Sequence, residues 1–77
     1  MERYKNLSGN SGVVAYATID DGILVQFTDG GIYLYTHQSA GRSRIERMQA
    51  LAVAGRGLST YISQHVRDAY AAKLDKD

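Results

Sequence analysis

The amino-acid sequence predicts an α+β domain: a three-stranded antiparallel meander followed by two helices packed on one sheet face, a βββαα order. Three observations carry this reading. Asp-Gly pairs stand at Asp21-Gly22 and Asp29-Gly30, between short β-branched and aromatic runs, and Asp-Gly suits the positive φ angles of tight hairpin turns. Ser43-Arg44-Ile45-Glu46 has the form of a capping box, in which the hydroxyl and the carboxylate satisfy unpaired amides of a first helical turn. Leu58, Tyr61, Ile62, His65, Val66, Ala69 and Tyr70 recur at i, i+3, i+4, i+7, i+8, i+11 and i+12, the stripe of an amphipathic helix.

Taken in order, residues 1–10 are polar and read as an irregular N-terminal arm, residues 11–73 as the domain, and residues 74–77 as a C-terminal tail. The first strand spans 13–19, the second 23–28 and the third 31–36. A two-residue loop at Asp29-Gly30 pairs Phe27 with Ile32, Val25 with Leu34 and Ile23 with Thr36. That register puts Gln26 beside Tyr33 and Leu24 beside Tyr35 on the opposite face, and a slip of one residue would exchange the faces. The first helix places Ile45, Met48, Leu51 and Ala52 on one side, with Gly55 as its left-handed stop. Phe27, Val25, Ile62 and Val66 are the expected centre of the core.

The chain has 77 residues, no Cys, no Pro, 44% hydrophobic and 22% charged residues. This suffices for one small domain, which buries only about 60–65% of its unfolded surface. Without Cys there are no disulfides or thiolate metal sites, which fits a reducing compartment. No apolar run approaches the roughly 20 residues of a membrane span, and the first residues do not lead into a signal-peptide core. A cytoplasmic location is the expectation. Net charge is +1, distributed as −2 over residues 1–36 and +3 over residues 37–77. Arg42, Arg44 and Arg47 give a local basic bias, far from the balance of a dedicated nucleic-acid binder.

Leu24-Val25-Gln26-Phe27, then Gly30-Gly31, Tyr33-Leu34-Tyr35, the Ala- and Gly-containing junction from Ala52 to Gly57, Tyr61-Ile62, Val66-Arg67 and Tyr70 follow one another in an order that resembles the KTSC domain. That short module is named for the C-terminal extension of some lysyl-tRNA synthetases and also occurs as a free-standing small bacterial or phage protein. The resemblance spans roughly residues 11–70, with Tyr-x-Tyr as its central signature. The sequence departs from it where His37-Gln38-Ser39-Ala40-Gly41 replaces a Pro-containing connection, and where Ser63 stands near a common Asn. The resemblance implies RNA binding only through the module's association with a tRNA synthetase, which is not a mechanism.

Tyr33 and Tyr35 admit two readings: a platform on which bases stack, with Gln26 as a hydrogen-bonding neighbour, or a half-buried face packed against Ala15, Ala17 and Leu24. Arg42, Arg44, Arg47, Arg56 and Arg67 could contact phosphates through their planar forks, or simply form solvated helix faces. His65 lies on the apolar stripe and reads as a core or boundary histidine. His37 has no metal-ligand spacing around it. No nucleophile motif or acid–base pair is visible, so the chain reads as a non-catalytic binding module with no cofactor and no metal. RNA is the favoured partner. The alternatives are a homo-oligomer or protein-interaction module using the apolar sheet face, and a small phage-type accessory protein that sequesters a nucleotide or inhibits a host enzyme.

Overall fold

Ile19 stands opposite Gly22 across a turn made by Asp20 and Asp21, and the sheet grows outward from the hairpin this turn closes. The computed structural model describes residues 1–9 and 11–74. In these, β1 (Glu2–Arg3), β2 (Val13–Ile19), β3 (Gly22–Phe27), β4 (Ile32–Thr36) and β5 (Ala72–Leu74) form one antiparallel sheet in that spatial order. Between β4 and β5 come α1 (His37–Ala40), α2 (Arg42–Ala54) and α3 (Leu58–Tyr61), which runs on as a π-helical segment, Ile62–Val66. The expected α+β class is present, with five strands and three helices in place of the βββαα order.

The β3–β4 register differs from the expected one by a single residue. The Phe27 N–H donates to the Gly31 carbonyl and the Gly30 N–H to the Phe27 carbonyl, both at 2.9 Å. Thr28, Asp29 and Gly30 therefore form a three-residue loop, with Gly30 at φ 93° supplying the positive φ that such a loop ends on. The Asp29 carboxylate accepts from the Gly31 N–H at 2.8 Å. The extra loop residue sets Val25 opposite Tyr33, Ile23 opposite Tyr35, and Leu24 opposite Leu34. Tyr33 and Tyr35 thus share the face of Ile23, Val25 and Phe27, while Ile32, Leu34 and Gln26 point to the other side. An irregularity between Val13 and Ala15 similarly keeps Val13 and Tyr16 on the Phe27 and Val25 side.

Both ends of the chain join the fold more closely than their composition suggests. β1 pairs with β2, and Tyr4, only 4% exposed, enters the core, where its hydroxyl accepts from the Leu58 N–H at 3.2 Å. The Leu7 N–H donates to the Gly55 carbonyl at 2.7 Å. The expected irregular arm is therefore a strand and a core anchor. At the other end the helical stripe stops at Val66 instead of reaching Tyr70. The Ala69 N–H closes back on the Val66 carbonyl, the Ala71 N–H reaches the Leu34 carbonyl, and β5 pairs with β4. Backbone groups on the β4 edge gain partners that a longer helix would have denied them. Of the expected tail, Leu74 belongs to β5, and residues 75–77 lie outside the described residues.

The helices cover the Tyr35 face. Ile45, Met48 and Ala52 from α2, and Leu58, Ile62 and Val66 beyond it, form one buried cluster with Tyr4, Val13, Ile23, Val25 and Tyr35. Of the expected core centre, Val25, Ile62 and Val66 are buried; Phe27 is half-buried at the margin. His65 is exposed and lies against Tyr61, ring centroids 4.5 Å apart, outside the core. The capping box sits one helix earlier than expected. Thr36 accepts from the Ser39 N–H at 3.1 Å and the Ser39 hydroxyl accepts from the Thr36 N–H at 3.0 Å. α2 begins at Gly41 without a side-chain cap, so Ser43 lies inside the helix and Glu46 pairs with Arg42 at 3.1 Å. Gly55, at φ 80°, ends α2 in the left-handed conformation as expected. The Gln49 amide ties α2 to the first hairpin by donating to the Gly22 and Ile19 carbonyls at 2.8 and 3.2 Å.

Tyr4→Ala should cost on the order of 3–5 kcal/mol, the range for deleting a large buried aromatic side chain. In a domain this small that should leave the chain largely unfolded by far-UV circular dichroism. Tyr4→Phe should cost only about 1 kcal/mol, for one hydrogen bond. A Tyr4→Ala variant with wild-type melting would show that the N-terminal segment is not part of the core.

Candidate functional site

The side chains that β4 turns toward the helices do not all reach the core. Tyr35 is 2% exposed, whereas Tyr33, nearer the β3–β4 loop, is half-buried. Beyond the π-helical segment the chain brings Tyr70 against both. The Tyr33 and Tyr70 rings meet edge to face with centroids 4.9 Å apart, and Tyr35 and Tyr70 at 6.2 Å. Phe27 adds a further edge-to-face contact to Tyr33 at 5.5 Å. Lys73 on β5 places its Nζ over the Tyr33 ring, 5.5 Å from the centroid. Such pairs contribute about 0.5–1.5 kcal/mol each beyond simple burial, so the cluster is held as a unit.

A cleft of about 420 Å³ opens beside this cluster, with Phe27, Tyr33, Tyr35 and Tyr70 on its aromatic side and Ser63, Arg67 and Asp68 contributed by the end of the helical region. Asp29 and Thr28 of the β3–β4 loop complete the rim. Ser63 and Arg67 are four residues apart, adjacent to the buried Ile62 and Val66, so the packing that fixes those two residues aims the polar pair at the cleft. Segments of π-helix occur often beside functional sites, and this one forms a wall of the cleft. The site has aromatic surface, one guanidinium and two carboxylates, and it can take a planar group with hydrogen-bonding edges.

Only part of the expected site comes together here. Tyr33, Tyr35 and Arg67 line one concavity. Gln26 does not join them, because the three-residue loop turns it onto the other sheet face, opposite Ile32. Tyr35 is too deeply buried to present a stacking surface, and both tyrosines lie on the helix side of the sheet instead of its open side. Arg42, Arg44 and Arg47 project from α2 as exposed residues, Arg42 engaged with Glu46, and Arg56 is exposed between α2 and α3; none of these four lines the cleft. Sequence reading missed Tyr70, Phe27, Ser63, Asp29 and Asp68 as cleft residues. A sequence signal for Tyr70 existed: an aromatic residue followed by Ala-Ala-Lys-Leu is a short strand pattern as well as a helix end.

Among the described residues no group of three or more His, Asp or Glu side chains is placed to hold a metal ion, and no helix is long and apolar enough to cross a membrane. Comparison of the chain with protein-family models, with curated proteins and with solved structures gives no match.

Burial, and after it the neighbouring Tyr33, Tyr70 and Asp68, push the Tyr35 hydroxyl up from the usual 10 to about 12. The folded chain thus holds this proton more tightly than the unfolded chain. The stability it contributes is complete below the unfolded value and is lost as the pH rises from about 10 through about 12. Ultraviolet titration of the six tyrosines should show one phenol ionising late. Tyr35→Phe should remove that phenol and flatten the fall of melting temperature across the same window. A late phenol that survives Tyr35→Phe would place the buried hydroxyl elsewhere.

Proposed function

We propose that this protein is a non-catalytic binding module that holds single-stranded RNA by seating one unpaired base in the aromatic cleft. The observation that carries this reading is the convergence of Tyr33, Tyr70 and Arg67 on one concavity. Tyr70 is 37% exposed and supplies ring surface on which a base can stack, a contact worth about 1–3 kcal/mol and tolerant of sequence. Arg67 is exposed at the mouth, where its fork suits a backbone phosphate. Asp29 and Asp68 disfavour phosphate inside the cleft and suit a base edge rich in N–H donors. The cleft therefore takes the base, and the phosphate stays outside with Arg67. The ordered resemblance to the KTSC module, whose signature contributes Tyr33 and Tyr35, supports the same reading, and we place the chain in that family as part of the proposal.

The test is binding of a fluorescein-labelled, mixed-sequence single-stranded RNA at several salt concentrations. Wild-type affinity should fall as salt rises. Tyr70→Ala should weaken binding by about 5- to 150-fold, the equivalent of one lost stacking contact. Arg67→Gln should weaken it and reduce the salt slope by roughly one contact's worth. Replacing Arg42, Arg44 and Arg47 together by Gln should have the smaller effect, because they lie outside the cleft. A wild-type protein without salt-sensitive RNA affinity would refute the reading, and so would a variant set in which the α2 arginines matter and Tyr70 does not.

A further inference from the structure

The second face of the sheet has no helix on it. Each helical residue in the buried cluster packs with Ile23, Val25 and Tyr35, on the other side. The uncovered face is nevertheless built from aliphatic side chains. Leu24 on the central strand lies opposite Leu34 and Ala17, Leu34 in turn lies opposite Ala72, and Ile32 opposite Leu74. Leu74 is 46% exposed, and Ile19 at the other end of the face is 41% exposed. An antiparallel sheet with one face in water alternates apolar and polar residues along each strand. Here both faces are apolar, and the open one carries only two polar side chains at ladder positions, Gln26 and, on the edge strand, Arg3.

We infer that this face is the interface of a homodimer, in which two copies pack sheet against sheet about a twofold axis. Three features point to a second copy over any other occupant. The molecule measures 30 × 30 × 21 Å, and its short dimension matches a sheet layer plus a helix layer about 10 Å apart. The broad side is then roughly 700 Å² in outline, close to the about 800 Å² per partner of a standard interface. Charge is nearly absent from the face, so an identical face meets it without repulsion, whereas RNA or an anionic surface would find only Arg3 at the margin. Gln26 is on the central strand, and its amide both donates and accepts. Near a twofold axis it can pair with its own symmetry mate and leave no buried polar group unsatisfied, which an arbitrary apolar partner would not guarantee. The aromatic cleft lies on the helix side, so dimerisation leaves both clefts open, and the inference stands independently of what the cleft binds.

Sedimentation equilibrium of the full chain at micromolar concentration should give the mass of two chains, little changed by salt. Leu34→Glu, which places a carboxylate in the middle of the face, should halve that mass with far-UV circular dichroism retained. A sample mixing isotope-labelled and unlabelled wild-type chains should show intermolecular methyl contacts among Leu24, Ile32 and Leu34, a readout that needs no substitution. A wild-type mass of one chain overturns the inference. So does a dimer whose intermolecular contacts avoid these three residues, or one that survives unchanged in a folded Leu34→Glu variant.

Discussion

The hydrogen bonds joining Phe27 to Gly30 and Gly31 close a loop of three residues instead of two, and the identity of both sheet faces depends on that one extra residue. Side chains on a strand alternate with period two, so a single-residue change in register moves all of β4 to the opposite side. With three loop residues Tyr33 and Tyr35 turn toward the helices, while Leu34 and Ile32 turn away. Tyr35 then completes the core, Tyr33 walls the cleft, and the open face loses its tyrosines to become aliphatic. With two residues the same chain would present a tyrosine platform and bury leucine.

Several tertiary contacts depend on the arrangement that results. Tyr4 enters the core from β1, and its hydroxyl accepts from the Leu58 N–H at the start of α3, so the first residues of the chain hold the start of its last helical region. Gln49 bridges α2 to the turn that begins β3. β5 then pairs with the exposed edge of β4 and carries Tyr70 into contact with Tyr33 just before the strand begins. The cleft is thus a product of strand closure at both ends of the chain, and its aromatic cluster joins the β3–β4 hairpin to the segment after the helices.

Much of this organisation was legible in the sequence. β2, β3, β4, the body of α2 and its Gly55 stop follow from alternation, helical spacing and turn residues, and so do the buried positions of Ile45, Met48, Ala52, Ile62 and Val66. What local patterns could not specify was register, because Thr28-Asp29-Gly30-Gly31 suits loops of two or three residues equally well. Nor could they specify contacts made across long separations. Tyr4 sits in a polar stretch and gains its place only from Leu58, fifty-four residues away. The stripe through Ala69 and Tyr70 is a sound helical pattern that loses to pairing with the β4 edge. Ser43-x-x-Glu46 has the right residues for a cap, but Thr36 and Ser39 stand where the chain leaves the sheet, and they make the box. Of the candidate site, Tyr33 and Arg67 could be named from residue type alone. Their meeting with Tyr70 required the fold.

The claim on which the rest depends is the β3–β4 register, and nuclear Overhauser contacts between Hα protons across the two strands read it directly. The account predicts contacts joining Leu24 to Leu34 and Gln26 to Ile32. Contacts joining Leu24 to Tyr35 and Gln26 to Tyr33 would contradict it, returning the tyrosines to the open face and removing the basis for both the cleft and the aliphatic dimer surface.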